Sequence, residues 1–291
     1  MGDYHTHLHP HGPFRGQGPE PGTFPADHIA RYVETAARRG VTEVCFTEHL
    51  YRCVESRSVL GEFWEGPNRE MADFSRRFVE VDRTLSIESY VEAVTAAKDR
   101  GLPVLLGFEV DYFPGTIDSV KEFLAPYPWD VLIGGPHWIG EWLFDEPAFV
   151  AEFARRGGQQ VYEQYFGLVV EFLESGTVDV LAHPDRIKKL DMLPDPPPVD
   201  LYRSVAKAAA GSKTAIEINT AGVSDPIGEM YPAPRFLEVL YESGIDLTLA
   251  SDAHRPDDAA RHFDLAIELA RSVGYTERLE FRNRVARRVP L

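Results

Sequence analysis

Eight of the ten histidines in this chain of 291 residues stand at, or just beyond, the end of a short apolar run. His5 and His7 are two apart in Asp3-Tyr4-His5-Thr6-His7, a spacing that turns both side chains to one face of a strand. His9 and His11 follow at once, and His49 closes Thr47-Glu48-His49. His137 comes after Gly134-Gly135-Pro136, and His183 ends Val180-Leu181-Ala182. Glu109 ends Leu105-Leu106-Gly107-Phe108, and Asp252 and His254 lie behind Leu249-Ala250-Ser251. Imidazole suits Zn, Fe, Mn or Ni, and carboxylates bridge such ions. Taken singly, each histidine reads more readily as a hydrogen-bonded structural residue, and the His5/His7 pair equally as a solvated strand face. Nine ligand-type residues at the corresponding ends of six runs read instead as a multinuclear metal site. These are His5, His7, His11, His49, Glu109, His137, His183, Asp252 and His254. His28 and His262 fall within helical patterns and read as structural, while His9 stays open between a supporting, a substrate-contacting and an exposed position.

The elements that must position these residues follow one rhythm. Apolar, β-branched runs at Asp3–Leu8, Glu43–Thr47, Pro103–Val110, Asp130–Gly134, Val178–Ala182, Thr214–Asn219 and Asp246–Ala250 read as strands. Helical patterns lie between them at Ala26–Arg39, Ile87–Arg100, Phe149–Ser175, Leu201–Ala210 and Arg235–Glu242, and after the last strand at Asp258–Val273. Several stop at a glycine, as at Gly40, Gly101, Gly176 and Gly244. Strand–helix–strand repetition implies parallel strands, and seven such units suggest a distorted TIM-like (β/α)7 barrel of α/β class, though an open sheet fits the same rhythm. In a barrel all the histidine-bearing ends meet at one rim, where such folds place their active sites. Tyr51 to Leu85 breaks the rhythm and reads as a lid-like insertion over that rim. The rhythm resumes after Asp195-Pro196-Pro197-Pro198, so residues 1–291 read as one domain.

Composition narrows the classes. Hydrophobic residues make up 44% and charged ones 26%, which excludes a disordered or fibrous chain. Thirty Lys and Arg against 46 Asp and Glu leave a formal charge of −16, a surface that repels long nucleic acid and anionic membranes. A small phosphorylated substrate stays compatible, because metal ions can invert the local field. Two cysteines, Cys45 and Cys53, make no disulfide framework. With neither a secretory signal nor a run of about 18 apolar residues, the expectation is a cytoplasmic protein. Its oligomeric state stays open.

Asp3-Tyr4-His5-Thr6-His7, Thr47-Glu48-His49, Gly107-Phe108-Glu109-Val110-Asp111-Tyr112, Ala182-His183-Pro184-Asp185, Glu217-Ile218-Asn219-Thr220-Ala221-Gly222 and Ser251-Asp252-Ala253-His254 together resemble the PHP (polymerase and histidinol phosphatase) superfamily. The resemblance runs end to end and is nearest to the monofunctional histidinol-phosphatase branch. It implies up to three divalent ions (Mn, Fe or Zn). His5, His7, Glu109 and Asp252 would hold one, Glu109 would bridge to a second on His137 and His183, and His11, His49 and His254 would hold the third. The loop from His7 to His11 is shorter than in that branch, which makes His9 the alternative to His11.

Three such ions bring about +6 and Glu109 with Asp252 return −2, an excess of about +4 that would recruit a phosphate dianion to an acidic protein. The implied reaction is hydrolysis of L-histidinol phosphate, with Asp252, His254 and Arg186 as candidate catalytic residues. Arg186 is also the candidate phosphate clamp, since guanidinium matches phosphate bidentately; the alternative is a surface charge. Glu217, Asn219 and Asp111, with His9, are candidates for the substrate's amino group, against a role supporting the ligands. Phe63 and Trp64 could stack on an imidazole ring or simply pack the insertion. The competing readings are a phosphoesterase acting on another small ester or short nucleotide, and a metal-binding barrel without catalysis.

Overall fold

The computed structural model describes residues 1–291, the Pro13 side chain excepted. Eleven strands form: β1 (Gly2–Thr6), β2 (Glu43–Phe46), β3 (Val104–Asp111), β4 (Val131–Gly135), β5 (Trp138–Ile139), β6 (Trp142–Leu143), β7 (Val180–Leu181), β8 (Ala215–Asn219), β9 (Leu247–Ala250), β10 (Glu277–Arg282) and β11 (Val285–Pro290). Seven of them make one parallel sheet in the order β1-β2-β3-β4-β7-β8-β9. The sheet nearly closes into a barrel at its upper end. There Asp252 N donates to His5 O at 2.9 Å and His7 N to Ala253 O at 2.8 Å.

Side chains pointing inward alternate along each strand. The lower interior is apolar, built from Tyr4, Cys45, Leu105, Val131, Ile133, Val180, Ala182 and Ala215. Further up, the same inward rows carry Glu109 and Asp111 on β3, and Glu217 and Asn219 on β8, all buried. The pairing of β1 with β2 shifts register between Asp3 and Thr6. This irregularity lets Tyr4 join the interior core while His5 still reaches Glu109 and Glu217. Gly107 is required in the β3 row, because a Cβ there would stand 2.6 Å from Cys45 Sγ.

Two helix bounds depart from the sequence-based expectation. The single helix expected over Phe149–Ser175 is two, Ala151–Arg156 and Gly158–Glu174, because Gly157 takes φ 88° between them. The last helix starts at Phe263, after a short 3-10 turn at Pro256–Asp258. The segment after Tyr51 is itself ordered into helices Arg57–Leu60 and Arg69–Asp82, the second capped by Asn68 Oδ1, which accepts from Met71 N.

The β10–β11 hairpin was not foreseen. It closes the lower mouth of the barrel, with Leu279 and Phe281 completing the interior core. Its arginines pair with acids at the lower strand ends: Arg282 with Glu43, Arg284 with Asp179 at 2.9 Å and Arg288 with Asp246 at 3.0 Å. The apolar end is thus sealed at one mouth, and the polar end faces the other.

Candidate metal centre

At the upper rim, Glu109 is the hub. Its Oε2 lies 3.2 Å from His5 Nε2, 3.5 Å from His7 Nε2 and 3.1 Å from His49 Nδ1. Its Oε1 lies 2.9 Å from His183 Nε2 and 3.4 Å from His137 Nε2. One carboxylate thus divides its two oxygens between two groups of imidazoles. Asp252 Oδ1 adds contacts at 3.5 Å to His5 and 3.3 Å to His7. His11 Nε2 meets His254 Nε2 at 3.1 Å, and the His11 and His254 rings both pack against His7. The nine rim residues therefore form one continuous cluster, buried but for a partly exposed His254.

Backbone geometry contributes. His183 and Asp252 both leave their strands with positive φ, 28° and 52°. Such angles are uncommon for residues with side chains, and they aim both groups into the rim instead of continuing the strand.

The charge states suit cations. At His5 burial opposes protonation, but Glu217, Asp252 and Glu109 outweigh it and hold the ring well above its ordinary pKa. At Glu109 burial is likewise outweighed, by His49, His5 and the hydrogen bond from His183, leaving it well below the carboxylate range. Burial prevails at His183 and His254, each pushed down to about 4. Carboxylates are therefore ionised among mostly neutral imidazoles, and a metal arriving at His5 would displace a proton. Two pairs of ring nitrogens face each other at 3.0 and 3.1 Å, and the buried His137 Nε2 has no hydrogen-bond partner among the described residues. Groups of three ligand atoms within 4.8 Å recur across the cluster, as in His7, His11 and His49 or His5, Glu109 and His183. The donor set fits several borderline divalent ions.

The other sequence candidates lie around this cluster. Glu217 is below it: Glu217 Oε1 accepts from His5 Nδ1 at 3.0 Å, His183 N at 2.9 Å and Asn219 Nδ2 at 2.7 Å. Asn219 Nδ2 also approaches Asp252 Oδ2 at 3.3 Å. Asp111 Oδ1 lies 3.1 Å from His49 Nδ1 and 3.0 Å from His137 Nδ1, while its other oxygen accepts from Tyr51 N. All three are fully occupied behind the imidazoles. His9 points away, with Nε2 2.8 Å from Thr23 O and its ring edge-on to Phe24. Phe63 stacks on Phe113 at 3.6 Å and Trp64 is buried beside it.

Above the rim opens a cavity of about 890 Å³, bounded by His137, Arg186 and Asp252 and by Tyr51, Phe74 and Phe78 from the segment after β2. Arg186 Nε donates to Asp145 Oδ2 at 2.9 Å, and Nη1 reaches Asp252 Oδ2 at 3.4 Å. Lys189 shares Asp145 at 3.1 Å. Asp145 and Lys189 escaped the sequence analysis because no motif or periodicity marks them.

Residues 23–221 match the family model of the PHP domain. The chain belongs to the PHP family. Curated relatives of this PHP protein include one named "Probable histidinol-phosphatase" from Deinococcus radiodurans, 33% identical over 243 residues and covering 84% of this chain and 86% of the relative. Another is the histidinol-phosphatase of Lactococcus lactis, 24% identical, covering 87% and 83%. Among solved structures, the Lactococcus lactis histidinol phosphate phosphatase, crystallised with zinc, L-histidinol and phosphate, superposes with a TM-score of 0.73 over 98% of both chains at 19% identity. That superposition establishes the PHP barrel. No helix is long and apolar enough to cross a membrane among the described residues.

Another device, also missed in the sequence, holds the first histidine loop. Arg52 and Glu48 form a buried pair at 2.8 Å. Arg52 Nη1 also donates to His9 O at 2.8 Å and lies 3.2 Å from His11 Nδ1, while Glu48 Oε1 accepts from His9 N. Arg52→Lys keeps the charge but loses the fixed guanidinium fork. Outer-shell losses of this kind cost about 10- to 100-fold in metal affinity. We expect zinc to be stripped by a graded chelator at about tenfold lower chelator strength in this variant; equal retention would make the pair purely a fold element.

Proposed function

We infer that the chain is a metal-dependent phosphomonoesterase that hydrolyses L-histidinol phosphate to L-histidinol and phosphate, a step of histidine biosynthesis. The observation that carries this reading is Glu109, one carboxylate shared by two imidazole groups beneath an arginine-bearing cavity, in a chain 33% identical to a named histidinol-phosphatase.

We assign His5, His7, Glu109 and Asp252 to one ion, Glu109, His137 and His183 to a second, and His11, His49 and His254 to a third, with Zn, Mn or Fe all compatible. Bound ions would supply Lewis-acid activation of water and of the phosphoryl oxygens. The chain's own groups do the rest. Arg186, kept cationic by Asp145 and Asp252 against the cost of burial, binds phosphoryl oxygen and favours the charge that builds in displacement. Water adds to phosphorus through its oxygen and gives up a proton, the P–O ester bond breaks, and the leaving alkoxide takes up a proton, so that one water is consumed for each histidinol and phosphate released. Glu217 and Asn219 hold His5, His183 and Asp252 in place, and the segment from Tyr51 to Leu85 covers the aromatic side of the cavity. A cytoplasmic setting goes with a biosynthetic step on an internal metabolite.

The test is phosphate release by Mn- or Zn-reconstituted protein. We expect kcat/KM for L-histidinol phosphate to exceed that for p-nitrophenyl phosphate by about 100-fold or more, ~2.7 kcal/mol of transition-state discrimination. Equal, slow rates would move the substrate to another small phosphate ester, and no release with any ester would leave a binding barrel.

A further inference from the structure

L-Histidinol phosphate carries a protonated amino group one carbon from its phosphate-bearing CH2. If the phosphate lies at the rim against Arg186, a carboxylate must wait a few ångströms beyond it. The three acidic or amide residues first considered for this role are consumed behind the imidazoles. The cavity wall offers four others. Asp145 is paired with Arg186 and Lys189, and Asp258 with Arg255 and Arg261. Glu146 is half-buried, as Asp225 is, but its side chain is held only by Ala148 N at the start of a 3-10 turn. Asp225 alone combines a charge with no cationic partner and a built support.

That support is specific. Tyr231, fully buried, donates its hydroxyl to Asp225 Oδ2 at 2.8 Å. Burial and the Asp225 charge push the Tyr231 phenol well above its ordinary pKa, so it remains a donor. The Tyr231 ring carries the Lys188 ammonium 5.3 Å from its centroid, and Lys188, itself buried, donates to Met230 O and Glu229. The backbone of Tyr231 exchanges both hydrogen bonds with Asn219 at the top of β8, at 2.7 and 3.0 Å. The loop bearing Asp225 is therefore fixed to the strand whose Asn219 touches Asp252. Asp225 and Arg186 line the same cavity, and the Asp225 charge contributes to the field that keeps Arg186 cationic. No described residue donates to its Oδ1, which is left for a ligand.

We propose that Asp225 is the specificity-determining carboxylate, reading the substrate's ammonium group while Arg186 takes its phosphate. This rests on the phosphatase reading above and adds to it the feature of the substrate that is recognised. A charge-assisted hydrogen bond of this kind is among the stronger polar contacts.

The experiment compares L-histidinol phosphate with 3-(imidazol-4-yl)propyl phosphate, which lacks only the amino group. The wild-type protein should prefer the amino substrate in kcat/KM by about 100-fold, and Asp225→Asn should collapse that ratio to near unity. Tyr231→Phe, which frees the carboxylate's orientation, should reduce the ratio about fivefold, and Glu146→Gln should leave it in place. A ratio that persists in Asp225→Asn, or that collapses in Glu146→Gln instead, overturns the assignment. Absence of any preference in the wild type also overturns it while leaving the phosphatase reading intact, and hydrolysis of neither compound removes the phosphatase reading itself.

Discussion

Glu109→Gln lowers kcat/KM for L-histidinol phosphate by about 10³-fold or more, ~4 kcal/mol, and lowers bound metal with it. The argument is geometric and electrostatic. Both oxygens of Glu109 face ring nitrogens, three on one side and two on the other. Glutamine keeps the shape, removes the charge and turns one acceptor into a donor. That donor must face either the His183 side or the His5 side, so whichever way the amide turns, one ligand group is opposed. Ions held through this carboxylate, as proposed above, would lose the anion that offsets their mutual repulsion. The check is metal content by mass spectrometry beside steady-state kinetics, with circular dichroism as the fold control. Turnover within tenfold of wild type with a full metal complement would break the assignment of the centre.

Phe281→Ala tests the opposite end of the barrel. Phe281 is buried, stacks edge-on to Tyr4 at 5.8 Å, and with Leu279 completes the lower interior core. Its backbone N–H donates to Tyr4 Oη at 3.1 Å, and Tyr4 in turn donates to Glu43. Truncating a buried phenylalanine costs about 3–5 kcal/mol through lost transfer energy and the cavity left behind. In a chain of this size that lowers Tm by roughly 10 °C. The histidine-bearing rim is at the other mouth, so kcat/KM at 25 °C should stay within about twofold. Calorimetry and kinetics on the same preparation check both halves. A small Tm change would mean that the hairpin is an appendage, and a large kinetic effect at unchanged stability would mean that the two mouths are coupled.

The seven barrel strands were legible because parallel strands buried on both faces are short apolar runs, and because helices between them end at glycines such as Gly40 and Gly101. The rim was legible for a related reason. A barrel forces every strand's C-terminal end to one place, so His5, His49, Glu109, His183 and Asp252 could be gathered without knowing any distance. The β10–β11 hairpin was illegible as a plug: nothing near Arg282, Arg284 and Arg288 in the chain marks their partners Glu43, Asp179 and Asp246, which only the folded barrel brings beneath them. The break at Gly157 was hidden by helical periodicity on both sides of it.

By itself, then, the sequence determined which ligand-type side chains gather and the face on which they stand, since both follow from residue type and strand period. The tertiary structure decided which side chains look into the cavity. Glu217, Asn219 and Asp111 share the inward rows with Glu109, and period alone cannot separate a group that meets a ligand from one that stands behind it. That depends on depth in the barrel and on which neighbours claim each oxygen. His9 and His11 differ by the same logic: Glu48 and Arg52, some forty residues away, turn the loop so that one ring enters the cluster and the other leaves it. Asp225 carries no motif at all. Its place was settled by Tyr231 and Lys188, contacts that exist only once the loop is folded against β8.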